Sequence, residues 1–200
     1  MREISPAVNA TVEEYLKQLP SEARAIVEEI RRQKQAGTRR LPSTTFIDRS
    51  SLLAGKDRMK LLDAVAALVD ENYAGRSEMC QQFADLLHRA LTHLGFPSRP
   101  VVGWAIYFSP AGEEIFRWRH AWVRVGDEVI DGNVDCLSEN PMVPKTVRVT
   151  PYWGPVVQVP EDRRLREERY TPLPDDDDVS NIWWPELRAW LDGEFLGVTG

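Results

Sequence analysis

The stretch Arg119-His120-Ala121-Trp122-Val123-Arg124-Val125-Gly126-Asp127-Glu128-Val129-Ile130-Asp131 reads as two strands joined at Gly126-Asp127, with Gly where a tight two-residue turn favours it. Counting outward from that turn pairs Val125 with Glu128, Arg124 with Val129, Val123 with Ile130, Trp122 with Asp131, and His120 with Asn133. His120 and Asp131 then share one face as diagonal neighbours, about 7 Å apart between backbones, so the carboxylate can reach the imidazole. Asn133 lies directly opposite His120 in the same count, and a one-residue slip would change which of the two is the partner. The strand leading in, Phe116 to Trp122, alternates: Phe116, Trp118, His120 and Trp122 face one side, Arg117 and Arg119 the other. The aromatic side is core or the wall of a groove. The arginine side would suit an acidic substrate group if it is exposed.

Forty residues upstream of the histidine, Ser77-Glu78-Met79-Cys80-Gln81-Gln82-Phe83-Ala84 opens an amphipathic helix. Cys80, Phe83, Ala84, Leu87, Leu91 and Leu94 form its apolar stripe. With Ser77 as N-cap, Cys80 is the third residue of the first turn, where unpaired backbone N–H groups and the positive end of the helix favour a thiolate. A thiolate is the nucleophilic form of cysteine, and a nearby imidazolium stabilises it further.

Taken together, Cys80-Gln81-Gln82-Phe83-Ala84, then His93-Leu94-Gly95-Phe96-Pro97 into Val101-Val102-Gly103, then His120-Ala121-Trp122-Val123 and Ile130-Asp131-Gly132 resemble the transglutaminase-like superfamily, which shares the papain-like core. The resemblance spans about residues 57–135, with the three motifs in family order. It implies that Cys80 is the nucleophile, His120 the general base and acid, and Asp131 the residue that orients His120. The backbone N–H of Cys80 is the natural first oxyanion donor, with Tyr73, Asn72 or Gln81 as side-chain contributors.

A chain of 200 residues with 42% hydrophobic content can bury one core, so a single domain is expected. Residues 1–56 form an N-terminal helical extension, 57–135 the catalytic core and 136–200 a C-terminal extension. A net charge of −6 argues against a nucleic-acid partner. The N-terminus has no secretory pattern and no segment is long enough to span a bilayer, so the cytoplasm is the default, with signal-less secretion left open. Cys80 and Cys136 are then expected to stay reduced.

The capping box Thr11-Val12-Glu13-Glu14 and the break at Pro20-Ser21 suggest an N-terminal helical hairpin. A loop with one short extended piece runs to about Gly55. A helix follows with Met59, Leu61, Leu62, Val65, Leu68 and Val69 on its apolar side. The cysteine helix, strands Arg99 to Phe108 and Ile115 to Val125, and the hairpin complete an α+β fold with mainly antiparallel pairing. Beyond Asp135 the pattern suggests short strands at Thr146 to Thr150 and Val156 to Val159, and a helix from Glu161 to Arg169 that places Arg163, Arg164 and Arg166 on a solvated face. Asp175 to Asp178 reads as an exposed acidic loop rather than a metal site. A last helix carries Trp183, Trp184, Leu187 and Trp190 inward.

Alone, a helical cysteine is most often an inert small hydrophobe, and a histidine between two tryptophans a packed aromatic. The order Cys80, His120, Asp131, with the thiol at a helix opening, tips the reading toward catalysis. His88 and His93 have no partner at metal-ligand spacing, and Cys136 has no comparable context. The leading expectation is a cofactor-free acyl-transfer enzyme or hydrolase acting on amide bonds of a peptide or protein substrate, as peptidase, deamidase or transglutaminase. Two alternatives stand beside it: a non-catalytic transglutaminase-like module that binds a peptide or protein, and an acyltransferase drawing on a thioester donor.

Overall fold

The computed structural model describes residues 17, 21–36, 45–72, 76, 78–140, 142–168, 173 and 176–197. The helix expected at Thr11 to Leu16 lies outside them. The second helix of that expected hairpin is present as α1 (Ser21–Gln35), followed by the two-residue strand β1 (Ile47–Asp48). Helix α2 (Gly55–Asn72) buries Leu61, Leu62, Val65, Leu68 and Val69, but its Met59 is exposed rather than part of the apolar side. The cysteine helix α3 (Cys80–His93) buries Phe83, Ala84, Leu86, Leu87, Ala90 and Leu91. It ends at Gly95, whose φ of +86° suits a residue without Cβ.

Strands β2 (Ser98–Phe108), β3 (Glu114–Val125) and β4 (Glu128–Asp131) follow as an antiparallel meander. The β3–β4 register is Val123 with Ile130, Arg124 with Val129 and Val125 with Glu128, as the turn chemistry predicts. Gly126 at the first turn position has a φ of +57°, which a side chain would resist. The ladder stops there: β4 ends at Asp131, and neither Trp122–Asp131 nor His120–Asn133 continues it.

Two further strands come from the C-terminal region. Strand β5 (Tyr152–Pro155) pairs antiparallel with β4 and parallel with β1, and β6 (Arg163–Glu167) pairs antiparallel with β2. The six-stranded sheet has the order β1-β5-β4-β3-β2-β6. Three expectations are thereby corrected. Within the helix expected from Glu161 to Arg169, Arg163–Glu167 is instead an edge strand and Arg169 lies outside the described residues; Thr146 to Thr150 is not a strand, and Val156–Gln158 is a 3-10 turn. The last helix, α4 (Trp184–Leu191), packs inward through Leu187 and Leu191, with Trp183 buried just ahead of it.

The architecture is α+β, with a mixed sheet and the helices α2, α3 and α4 gathered on one face over Val102, Ala121, Val123, Val125, Ile130 and Trp153. The other face is covered by irregular chain and a 3-10 helix, Asp135–Glu139, without an α-helix among the residues packed there. Val134, Leu137, Val143 and Val147 pack there against Ala105 and Tyr107, and Val101, Trp122, Val129 and Tyr152 form a second cluster beside them. Two glycines allow these layers to close. A Cβ on Gly132 would lie 2.7 Å from the Phe83 ring, and one on Gly103 would lie 2.2 Å from the Arg166 carbonyl oxygen. No helix among the described residues is long and apolar enough to cross a membrane.

Candidate active site

Period-two alternation puts His120 on the face of β3 away from the α-helices, between Trp118 and Trp122. Their ring centroids stand 6.1 Å and 6.2 Å from that of the imidazole, which lies nearly parallel to Trp118 at 17° and tilted by 33° to Trp122. Asp131, the last residue of β4, meets it: Nε2 of His120 lies 2.8 Å from Oδ1 of Asp131, with both side chains fully buried. The structure thus brings His120 and Asp131 together across the end of the hairpin ladder.

The second ring nitrogen, Nδ1, makes no hydrogen bond of full geometry among the described residues. Cys80 is near enough to the ring to raise its proton affinity. Burial alone would push the imidazole's pKa down, but the Asp131 carboxylate and, after it, Cys80 outweigh that and raise it to about 10. Asp131 responds in the opposite sense: burial would raise its pKa, but charge and hydrogen bonding from His120 and then Arg163 lower it. The result is an imidazolium–carboxylate pair facing a half-buried, unbridged thiol.

Helix α3 begins at Cys80 itself, with Met79 as the N-cap, two residues later than a cap at Ser77 would place it; Ser77 lies outside the described residues. Glu78, at a φ of +65°, turns the chain sharply into the helix, and its carboxylate accepts a hydrogen bond from the Asn140 amide. The first intrahelical bond runs from Phe83 N–H to the Met79 carbonyl, so the N–H groups of Cys80, Gln81 and Gln82 lack intrahelical acceptors. An anion formed next to the thiol would meet those donors and the positive end of a 14-residue helix. Of the side chains considered as oxyanion donors, Gln81 is exposed, while Tyr73 and the side chain of Asn72 lie outside the described residues.

Asn133 is not the histidine's partner. Its amide donates to the Arg76 carbonyl at 3.0 Å and its Oδ1 accepts from Arg76 Nη1 at 3.4 Å. Arg76, buried, also pairs with Asp135. Cys136 donates its S–H to the carbonyls of Asn133 and Arg76, and burial raises its pKa well above the ordinary thiol range, as befits a structural thiol. His88 bonds Ser98 Oγ at 2.9 Å and His93 bonds Asp192 at 2.7 Å, so both are structural. In the acidic run, Asp176 accepts from the backbone N–H groups of Asp178 and Val179 and from Gln82, which makes it a helix cap. The described residues contain no group of three metal-ligating side chains.

Arg163 is the residue that sequence reasoning assigned elsewhere. From β6 its Nη1 donates to Asp131 Oδ2 at 3.0 Å, its Nη2 to the Thr150 carbonyl at 2.6 Å and its Nε to Asp162 at 2.8 Å, with no side-chain exposure. Burial would lower its pKa, and the Asp131 and Asp162 carboxylates raise it instead. The Asp131 carboxylate is therefore gripped on one oxygen by His120 and on the other by Arg163. The alternation Arg163, Leu165, Glu167 against Arg164, Arg166 was the available signal. Tyr107, pressed against this group, is held protonated first by burial and then by the Asp131 charge. A cavity of about 400 Å³ lined by Val134, Asp135, Leu137, Ser138, Val147, Arg148, Val149 and Thr150 touches the outer partners of this network but none of Cys80, His120 and Asp131.

No family model matches the chain, and no curated protein matches it. Among solved structures, the crystal structure of a genomics target superposes with a TM-score of 0.47 at 16% identity, over 76% of this chain and 76% of that one.

Proposed function

We propose that the protein is a cysteine-dependent acyl-transfer enzyme or hydrolase acting on amide bonds of peptides or proteins, with a transglutaminase-like, papain-like core. One observation carries this reading: a fully buried histidine is bound through Nε2 to a fully buried aspartate, its other nitrogen has no partner among the described residues, and a half-buried cysteine at a helix N-terminus is near enough to raise the ring's pKa. The fully buried carboxylate partner sets His120 apart from His88 and His93, whose partners are a serine hydroxyl and an exposed aspartate.

In the reaction, Cys80 Sγ attacks the amide carbonyl carbon and the carbonyl electron pair moves to oxygen, toward the N–H of Cys80. The tetrahedral intermediate collapses as the C–N bond breaks, and the imidazolium of His120 gives its Nδ1 proton to the leaving amine. A thioester on Cys80 remains. Water or an amine then attacks it, His120 takes the proton, and the C–S bond breaks to restore the thiolate. Asp131 holds the ring by Nε2 throughout, so Nδ1 alone exchanges protons. No cofactor enters these steps.

The test is iodoacetamide alkylation of Cys80 as a function of pH, in a Cys136→Ser background, with and without His120→Ala. The reading predicts alkylation at about pH 6 that is at least about tenfold faster with His120 present. Equal rates, rising only near the ordinary thiol range of about 8.5, would overturn it.

A further inference from the structure

The helix-bearing face of the sheet is covered along only part of its length. Val102, Ala121, Val123 and Val125 lie beneath the helices. At the next positions on that face Trp104 is 36% exposed, and Arg117, Arg119, Arg164 and Arg166 are exposed. The register sets them in order: Trp104 stands between Arg119 of β3 and Arg166 of β6, and Ile106 between Arg117 and Arg164. Two rows of arginines thus flank an apolar row of Trp104, the buried Ile106 and Phe108, and the Arg164 guanidinium lies 5.5 Å from the Phe108 ring centroid. The patch is a concentration of positive charge on a chain of net charge −6, assembled from two segments far apart in sequence.

Its position ties it to the thiol. Helix α3 ends near Ser98, where β2 begins, and starts at Cys80, beside His120, whose cross-strand partner is Gly103. Along the strands, the arginine-flanked strip starts at Trp104 and Arg119, one position past the Gly103–His120 pair and on the face opposite to the His120 side chain.

We propose that this strip binds an acidic, extended peptide segment of the substrate and guides it to Cys80; the inference rests on the acyl-transfer reading above. An extended chain presents alternate side chains about 6.8 Å apart, the same repeat as Arg117 to Arg119 and Arg164 to Arg166 along their strands. Guanidinium groups take carboxylates in bidentate fashion, and this patch already does so: Glu114 bridges Nε and Nη2 of Arg117 at 2.5 and 2.6 Å, and Glu168 meets Arg119 at 3.2 Å. Among the described residues Arg164 and Arg166 hold no carboxylate, which leaves them for a ligand. A nucleic acid fits less well, because the anions already seated are carboxylates and a chain of net charge −6 repels a densely charged polymer.

The experiment uses the full chain carrying Cys80→Ala and three fluorescein-labelled probes: a peptide of alternating Glu and Ala, its Lys-Ala counterpart, and a single-stranded oligothymidylate of equal length. Fluorescence anisotropy at low salt should show saturable binding of the Glu-Ala peptide alone. Arg164→Gln/Arg166→Gln should weaken it at least about tenfold, and moderate salt should do the same. Because an Arg-to-Gln pair on an edge strand could loosen β6, Trp104→Ala, on the central strand of the patch, serves as a second variant and should also weaken binding. Binding of oligothymidylate in preference to the peptide, binding of neither, or Glu-Ala binding unchanged in both variants would overturn the inference. With the thiol absent, this readout is separate from chemistry. Loss of peptide binding alongside a reactive Cys80 sinks the platform alone, and ordinary Cys80 reactivity with peptide binding intact sinks the acyl-transfer reading alone.

Discussion

At the scale of single residues, His120, Asp131 and Arg163 form one charged group inside the protein, and its parts can be separated by their pH behaviour. Folding raises the pKa of His120 from 6.5 to about 10, so its contribution to stability is fully present below the unfolded value and is lost as pH rises toward the folded one. Asp131 runs the other way. Its pKa is lowered from 3.8, so its contribution is present above that value and is lost as pH falls through the folded one. Urea unfolding should accordingly show stability falling by on the order of 3 kcal/mol between about pH 7 and about pH 9.5. Asp131→Asn should flatten that fall, because the imidazole loses the partner that holds its proton; an unchanged slope would mean that His120 is not the group responsible. Arg163→Met removes the grip on the second Asp131 oxygen and should destabilise by about 3 kcal/mol, as when one partner of a buried pair is deleted. Arg163→Lys should recover part of the loss, though not the bidentate contact to Asp162.

At the scale of elements, the site depends on how closely α3 and β6 approach the central strands. Gly132→Ala would drive a methyl into the Phe83 ring at 2.7 Å, in the helix that carries Cys80. The expected cost is about 1–3 kcal/mol, with Cys80 alkylation slowed toward the His120→Ala rate as helix and strand part. Gly103→Ala would meet the Arg166 backbone at 2.2 Å and should detach β6, removing Arg163 from Asp131. Hydrogen exchange that rises specifically in residues 163–167 would verify it. The elements differ in how legible they were. The β3–β4 hairpin could be read residue by residue, because period-two alternation and a Gly turn point to the same register. The start of α3 was displaced because Ser77 looks like a cap, while a left-handed Glu78 restarts the chain. Strand β6 was hidden because its inward positions include Arg163, satisfied by buried carboxylates rather than by apolar neighbours, and its charged residues suit a helix equally well. Strand β5 was missed because Gly154 and Pro155 are poor strand formers, tolerated here at the end of a short pairing.

At the scale of the whole molecule, the sheet separates two tasks. One face is stabilised by α2, α3 and α4, and the other buries the charged group beneath irregular chain and a 3-10 helix. The C-terminal region therefore supports the site from both sides: β6 delivers Arg163, and Trp183 with Leu187 and Leu191 closes the core behind α3. Trp183→Ala should cost about 3–5 kcal/mol in urea unfolding while leaving the His120–Asp131 contact intact, since it lies on the opposite face. The imidazolium of His120, held by Asp131 and raised further by Cys80, is the feature on which the proposed reading turns, and it is tested by a ¹⁵N NMR titration of the His120 ring in the wild type and in Cys80→Ser. The account predicts an imidazolium that persists well above pH 8 in the wild type and loses its proton at lower pH once the thiol is gone. A neutral ring at pH 7, or a titration indifferent to Cys80, would contradict it.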